Sequence, residues 1–155
     1  MARTLYPKDY IRDVLIGEIK DIMDHGHAYL SFALMCAGID CLGRCIDDQV
    51  TWHKVVGGGK HFKLGVSLFP PHYHSLADPL YTDLRCGLLH AQRPGGVRLT
   101  EQKNGPFDYK DHLISNDRVI VVEHFYTDFA SACNKVLATQ FAPSSKMNQM
   151  FLYVS

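Results

Sequence analysis

The sequence predicts a mainly α-helical domain: an antiparallel bundle of about four main helices with a small β-hairpin insertion near residues 97–122. Three observations predict this fold class. Apolar residues recur at helical spacing over four segments. Helix start signals precede such segments, and runs of glycine or proline end them. The chain has 155 residues, of which 46% are apolar, so residues 1–155 are most simply a single domain.

Two long helices are predicted in the first third of the chain. The first runs from about residue 8 to 24, because Pro7 suits a first helical turn and the apolar residues behind it keep a helical period. These are Ile11, Val14, Leu15, Ile19, Ile22 and Met23. The second, at about 27–46, is apolar almost all round, which is typical of a buried central helix.

A glycine-rich connection, "VVGGGKH" at residues 55–61, interrupts the helical pattern. A short helix is predicted after it, ending at the Pro70-Pro71 pair. The segment lacks the G-x4-G-K-[ST] spacing of a phosphate-binding loop, so we interpret it as a connection between helices. Its basic residues could contact a polyanion, although such a run is more often a solvated loop: Lys54, Lys60, His61 and Lys63.

The motif helix is predicted at about residues 79–90. Asp78 followed by Pro79 is a helix start signal, and "RPGG" at 93–96 is a stop signal. Three leucines share one sector of this helix and should face the core: Leu80, Leu84 and Leu88. Gly87 costs about 1 kcal/mol relative to alanine inside a helix, so packing alone does not account for it.

Arg85 and His90 point in different directions on an ideal helix. Five residues at 100° each leave them about 140° apart, so one helix brings them together only if it unwinds near its end. Otherwise a second copy of the chain must supply one of them. Gly87 shares a sector with Asp83 and His90 and would let another backbone approach, so we expect a two-fold homodimer.

The remaining third of the chain predicts one hairpin and one helix. "VRLTEQKNGPFDY" and "DRVIVV" alternate or carry β-branched residues around a turn signal at 104–106, as hairpin strands do. A last helix is predicted at about 123–140 from the spacing of Phe125, Phe129, Ala132, Cys133, Val136 and Leu137. No pattern assigns the tail at 142–155.

Charge and composition exclude several classes of protein. Sixteen basic and sixteen acidic residues cancel, so the chain lacks the positive field of proteins that bind nucleic acid by net charge. The longest apolar run, "YLSFALMCAGI", is too short to span a bilayer, and charges stand where a secretory signal would be apolar. We therefore expect a cytoplasmic protein with no membrane contact.

The cysteines and histidines predict neither disulfides nor a metal site. Five cysteines form an odd set without paired spacing, which indicates reduced thiols. The histidines of "HGH" at 25–27 and "HYH" at 72–74 also lack the spacing of a recognisable zinc site. No metal and no cofactor is expected.

"RCGLLH", an arginine and a histidine separated by four residues near the end of a late helix, resembles the R-x4-6-H motif of the HEPN superfamily. The order of elements around it is similar too: two long helices, a short one ending in "FPP", the motif helix and a closing helix. The likeness spans roughly residues 8–140. One departure is Cys86, because active members usually carry a polar residue, most often asparagine, directly after the arginine.

The resemblance implies a metal-independent endoribonuclease or an RNA-binding protein that acts as a homodimer. His90 would be the acid/base and Arg85 the phosphate clamp, with Asp83, Cys86 and Gly87 as supporting residues. An imidazole can move a proton near neutral pH, a guanidinium can hold a phosphate, and the RNA 2′-hydroxyl is the nucleophile. Many relatives work in toxin–antitoxin or defence settings, which would add an antitoxin-like protein partner.

A structural interpretation of the same residues stays open. Arg85 would then form an ion pair, for example with an aspartate, and His90 would merely end a helix favourably. The protein would be a non-catalytic helical module for dimerisation or interaction.

Overall fold

The computed structural model of the chain describes residues 3–102, 112–113 and 118–154, and it is mainly helical, as predicted. Helix α1 is continuous over residues 7–24, through the segments Pro7–Tyr10, Ile11–Glu18 and Ile19–Asp24. Its middle segment is wound more widely, with hydrogen bonds of the i→i+5 kind. Its buried positions are mostly those the apolar period predicts: Pro7, Ile11, Leu15 and Ile19.

Helix α2, Ala28–Ile46, is the central helix, as its composition predicts. Its buried apolar face lines the core: Phe32, Met35, Cys36, Ile39, Leu42 and Cys45. Within the described residues, α2 is long and apolar enough to span a membrane by length and composition alone, because it extends beyond the run "YLSFALMCAGI". Half of its apolar stretch is buried by the rest of the chain, as in a core helix.

Helix α3, Lys60–Val66, crosses α2 at very short distance. A Cβ atom placed on Gly43 would lie 1.7 Å from the carbonyl oxygen of His61, and one on Gly65 would lie 2.1 Å from that of Ile39. Only glycines allow two backbones to approach this closely. The crossing fixes α3 and the connection before it against the second half of α2.

The motif helix, α4, covers residues 77–91 through the segments Ala77–Pro79, Leu80–Cys86 and Gly87–Ala91, after a 3₁₀ turn at Pro71–Leu76. Its three predicted core leucines, Leu80, Leu84 and Leu88, are buried. The helix ends at Gln92, which takes the left-handed conformation with φ 51°. Its start and its end therefore lie close to the predicted ones.

The β insertion is real, but it is not a hairpin. Strands β2, Arg98–Thr100, and β3, Val119–Val121, pair in parallel, with Arg98 opposite Val119. A tight two-residue turn joins antiparallel strands and not parallel ones, so the hairpin prediction is wrong. The predicted turn at 104–106 lies outside the described residues. Helix α5, Val122–Ala138, follows β3 directly and packs on α1 and α2.

The chain ends are joined in a way the sequence did not predict. Strand β4, Leu152–Val154, pairs antiparallel with β1, Arg3–Leu5, at the start of the chain. The ring of Phe151 packs on Tyr10 and Trp52, at centroid distances of 4.9 and 4.8 Å. The tail therefore closes over the first helix.

Candidate Arg85–His90 site

One chain brings Arg85 and His90 together. Arg85 Nη1 donates a hydrogen bond to His90 Nε2 over 3.0 Å. Two routes to this contact were expected, an unwound helix end or a second copy of the chain, and the second is not needed. The motif helix departs from ideal winding, because its segment Leu80–Cys86 has i→i+5 hydrogen bonds and Gly87–Ala91 then returns to α-helical winding.

The same contact defines the protonation pattern of His90. A guanidinium nitrogen can only donate, so Nε2 of His90 must accept and its ring proton must sit on Nδ1. His90 is exposed at the surface. Its basic nitrogen therefore lies beside a cation at a solvent-accessible position.

Arg85 is held from its other edge by Asp40 of α2. Arg85 Nε donates to Asp40 Oδ2 over 2.8 Å, and the two side chains are 22% and 27% exposed. Burial lowers the pKa of Arg85, but the hydrogen bond and charge of Asp40 outweigh it and the pKa is raised. The structure thus contains the ion pair that the alternative interpretation expects, together with the histidine contact.

Tyr81 and Cys86 complete the surroundings of the guanidinium. The Arg85 guanidinium lies 5.6 Å from the centre of the Tyr81 ring, within cation–π range. A hydrogen bond with Cys86 is the largest cause that raises the pKa of Tyr81, ahead of burial. Cys86 also contributes a hydrogen bond that raises the pKa of Arg85. The residue after the motif arginine is therefore coupled to the site through Tyr81.

Gly87 accommodates the chain's own loop. A Cβ atom on Gly87 would lie 2.5 Å from the carbonyl oxygen of Arg93 and 2.9 Å from Cα of Pro94. Arg93 N–H donates to the Gly87 carbonyl over 2.9 Å. The interpretation of Gly87 as the approach point of a second subunit is wrong for this reason, and "RPGG" stops the helix by folding back onto it.

Asp83 belongs to that loop rather than to His90. Its backbone carbonyl accepts from Gly95 N–H over 2.6 Å, and its Oδ2 accepts from Arg118 Nη1 over 3.1 Å. A Cβ on Gly96 would lie 3.0 Å from Asp83 Oδ2, so the loop lies directly on this carboxylate. Asp83 supports the site only by holding the loop behind the motif helix.

A pocket of about 240 Å³ opens beside Arg85, between α2, α4 and the glycine-rich connection. Its lining includes Asp40 and Arg44 from α2, residues 55–59 from the connection, and Tyr81. Arg44 Nη1 donates to the carbonyl oxygens of Trp52 (3.0 Å) and Lys54 (2.6 Å), which holds the connection against α2. The connection is therefore one wall of the pocket beside Arg85.

Three of the four basic residues that could have contacted a polyanion, Lys60, His61 and Lys63, have internal partners. Asp47 Oδ2 pairs with Lys60 Nζ at 2.7 Å and with His61 Nε2 at 3.1 Å, and Lys63 pairs with Asp78. The hydrogen bond from Lys60 is the main reason that the pKa of Asp47 falls to about 2. These side chains fix the start of α3.

Sequence reasoning missed Asp40 and Arg44, although a signal was available. They are the two charged residues of α2, four positions apart, in a helix that is otherwise uncharged. Residues at this spacing share one face of a helix. Two charges on an apolar helix indicate a polar site at that face.

A larger cavity, of about 660 Å³, lies away from Arg85, between the end of α2 and residues 140–149. Its lysine, Lys146, donates to the carbonyl oxygens of Asp47 (2.5 Å) and Val50 (2.6 Å). Burial lowers the pKa of Lys146. This cation joins the tail to the loop after α2, which is a structural task.

The cysteines lie mainly in the core. Burial raises the pKa of Cys36 and brings that of Cys133 to about 12, and a hydrogen bond with Cys41 raises that of Cys45. Thiols with raised pKa values are poor nucleophiles and poor metal ligands. In the described part of the chain, no three His, Cys, Asp or Glu side chains group as ligands for a metal ion.

A buried hydrogen-bonded chain lies at the other side of the core. Val121 N–H donates to His112 Nδ1 over 3.0 Å, so the neutral ring carries its proton on Nε2. That proton is donated to the Tyr73 hydroxyl at 2.7 Å, and the hydroxyl donates to Asp128 Oδ2 at 2.7 Å. Protonation of His112 would remove the acceptor that Val121 needs.

This network should make stability depend on pH. Burial, followed by the charges of His124 and His72, lowers the pKa of His112 to about 4, below the ordinary value of about 6.5. Between these two pKa values the unfolded chain binds a proton at His112 and the folded chain does not. The free energy of unfolding should therefore fall as pH drops from about 6.5 to about 4. We expect a loss on the order of 2–3 kcal/mol.

Urea unfolding between pH 7 and pH 4 measures this loss. The variant His112→Gln keeps polar groups at the position but cannot titrate there, so its stability should change less with pH than that of the wild type. Equal slopes for both proteins would assign the pH dependence to other groups.

The chain matches no family model, no curated protein and no solved structure. The likeness to the HEPN superfamily therefore rests on the motif letters and the order of helices. The geometry adds a separate fact: the two motif residues contact each other, and a carboxylate holds the arginine.

Proposed function

We propose that the protein is a HEPN-like, metal-independent endoribonuclease in which Arg85 binds an RNA phosphate and His90 moves the proton. The observation that carries this proposal is the contact between Arg85 Nη1 and His90 Nε2 at the protein surface. A cation and a proton acceptor at one point are what attack on a phosphodiester requires.

The proposed reaction uses the RNA itself as the nucleophile. Arg85 Nη1 leaves His90 Nε2 to bind the phosphate, and the freed Nε2 takes the proton of a 2′-hydroxyl. The 2′-oxygen attacks the adjacent phosphorus as the bond to the 5′-oxygen breaks. The protonated imidazole returns its proton to that leaving oxygen. The products are a 2′,3′-cyclic phosphate and a 5′-hydroxyl, while Arg85 stabilises the charge that develops on the non-bridging oxygens.

Asp40 orients the guanidinium for this task. It occupies the Nε edge of Arg85, and His90 occupies Nη1; among the described residues no partner approaches Nη2. That nitrogen is the donor for a phosphate oxygen. A fixed carboxylate behind an arginine keeps the fork in one orientation, which lowers the cost of ordering it on binding.

RNA must bind through a local patch, because the net charge of the chain is zero. Arg93 is exposed directly beyond the helix end that carries His90, so it adds a cation beside the motif helix. Cations positioned around the path of the backbone supply the sequence-independent part of RNA binding.

The resemblance to the HEPN superfamily also implies a homodimer and an antitoxin-like partner in a toxin–antitoxin or defence setting. A cytoplasmic location is proposed with them. These remain part of the proposal. Gly87 no longer supports the dimer, because its open side is filled by Arg93 and Pro94 of the same chain. The Arg85–His90 pair needs no second subunit to form.

A second candidate is the non-catalytic interaction module. One observation favours it: Arg85 already has a carboxylate partner at 2.8 Å, so its charge is compensated without RNA. In that case the protein should neither cut nor bind RNA.

Two RNA substrates that differ only in their 2′ groups, hydroxyl or O-methyl, test the proposal. Purified protein is incubated in EDTA with an unstructured RNA and with the same sequence carrying 2′-O-methyl groups. We expect cleavage of the first alone, with 2′,3′-cyclic phosphate ends, because the methyl group removes the nucleophile. If the protein neither cleaves nor binds either RNA, the ribonuclease proposal is wrong and the interaction module is favoured.

A further inference from the structure

The pocket beside Arg85 has mixed chemistry rather than the chemistry of an anion site. Its lining includes the carboxylate of Asp40 and the guanidinium of Arg44, together with Val55 and Val56 of the connection. The guanidinium groups of Arg44 and Arg85 line it together with one carboxylate, that of Asp40, which is paired with Arg85. A ligand with both donors and acceptors on its edge and apolar faces would match.

The pocket is built by contacts rather than left by a loose loop. Arg44 holds residues 52–54 through their carbonyl oxygens, and the far end of the connection packs on Tyr81. A Cβ atom on Gly59 would lie 2.7 Å from the Tyr81 ring, so the backbone lies directly on the aromatic face. The wall between these two anchors is residues 55–58.

The size of the pocket suits one small ring system. Its volume of about 240 Å³ is below the roughly 300–1,000 Å³ that is usual for drug-sized ligands. Val55, which lies on its rim, is 90% exposed. An exposed aliphatic side chain beside charged groups offers a surface on which a flat ring can lie.

Both polar walls still have bonding capacity. Asp40 uses Oδ2 for Arg85, and within the described residues nothing donates to its Oδ1. Arg44 donates from Nη1 to backbone carbonyl oxygens, while within the described residues nothing accepts a hydrogen bond from its Nη2. A nucleobase edge carries the complementary acceptors and N–H donors.

Resting on the proposed function, we propose that this pocket is a nucleobase subsite. The base of an unpaired nucleotide enters against Val55 and Val56, its edge bonds Asp40 and Arg44, and its phosphate stays outside on Arg85 and His90. Arg85 joins the two regions, because Asp40 on its Nε edge lines the pocket and His90 lies on Nη1. The protein then acts on single-stranded RNA, since a paired base cannot leave its stack cheaply.

Two variants fill the pocket without touching Arg85, His90 or Asp40. Gly57→Phe adds a ring where a Cβ atom has no neighbour within 4 Å, and Gly57 does not have the positive φ of its neighbours Gly58 and Gly59. Val56→Phe enlarges the adjacent wall residue. Gly57→Ala is the matched control, because it changes the backbone freedom and leaves the volume open.

Binding is measured with a short 2′-O-methyl RNA and with the same strand lacking one base. Removal of the base should weaken binding to the wild type and to Gly57→Ala by about tenfold, a usual contribution of one stacked base. Gly57→Phe and Val56→Phe should bind both strands equally, at the affinity the wild type shows for the strand lacking the base.

The outcomes separate the two proposals. Cleavage of natural RNA with no effect of base removal on wild-type binding would overturn the subsite and leave the ribonuclease. A base effect that persists in both filled variants would place the base elsewhere. A base effect confined to the open pocket, without cleavage, would keep the subsite and remove the catalytic step, whereas no binding of either strand and no cleavage would overturn both.

Discussion

Replacing His90 by alanine is expected to reduce the rate of RNA cleavage by about 10²- to 10⁴-fold, the usual contribution of a positioned acid/base. RNA affinity should change little, because Nε2 acts in the transition state rather than in the bound complex. Arg85→Ala should weaken both binding and turnover, since its guanidinium contacts the phosphate in both states. Single-turnover rates on natural RNA and affinities for 2′-O-methyl RNA separate the two effects.

Matched surface variants control for general damage. His25→Ala removes an exposed histidine at the end of α1, and Arg12→Ala breaks an exposed arginine–aspartate pair at 3.3 Å. Both proteins should keep wild-type rates. If His90→Ala cuts RNA as fast as His25→Ala, the proton must be moved by another group.

Mixing the two inactive variants tests whether one chain holds the whole site. Arg85 and His90 contact each other within a chain, so combined Arg85→Ala and His90→Ala proteins should remain inactive. A site shared across a two-fold axis behaves differently, because half of the mixed dimers would be hybrids with one intact site of two. Recovery of about a quarter of wild-type activity would thus show that the working pair joins two subunits.

The helices could be predicted from the sequence because their signals are local. The leucines at 80, 84 and 88 and Pro7 each act over one or two turns, and the structure buries the leucines and places Pro7 in a first helical turn. The start predicted at Asp78 and Pro79 is wrong by two residues, because the helix begins at Ala77 after Leu76 and has no side-chain cap. Strand pairing is different. Three-residue strands carry no readable period, so neither the parallel pair β2–β3 nor the joining of the chain ends by β1 and β4 could be predicted.

The site was predicted as residues but not as geometry. Arg85 and His90 were selected through the motif resemblance, yet an ideal helix separates them. The wider turns of Leu80–Cys86 have no sequence signature in a pattern counted at 3.6 residues per turn. Gly87 indicated a close backbone approach correctly, but not which backbone approaches. A polar site at Asp40 could have been predicted, since an isolated charge pair on an apolar helix is unusual. Its contact with Arg85 could not, because that contact depends on tertiary packing.

Replacing Gly43 by alanine is expected to cost about 3 kcal/mol of unfolding free energy, at the upper end for overpacking, because the added methyl group meets backbone atoms. It would lie 1.7 Å from the His61 carbonyl oxygen and 2.8 Å from Gly65 N, so α2 and α3 must separate. The same substitution at Gly17, where the nearest atom is 3.6 Å away, should stabilise the protein by up to about 1 kcal/mol.

Urea unfolding measures both changes through the midpoint at constant slope. Opposite signs for one chemical substitution would show that the cost at Gly43 comes from the crossing and not from alanine itself. A loss below about 0.5 kcal/mol at Gly43 would mean that the helices are farther apart than described. The substitution should also affect the site, because Asp40 lies one turn before Gly43 on α2. A shift of α2 should weaken the hydrogen bond between Asp40 and Arg85 and lower the rate of cleavage, even where the variant remains folded.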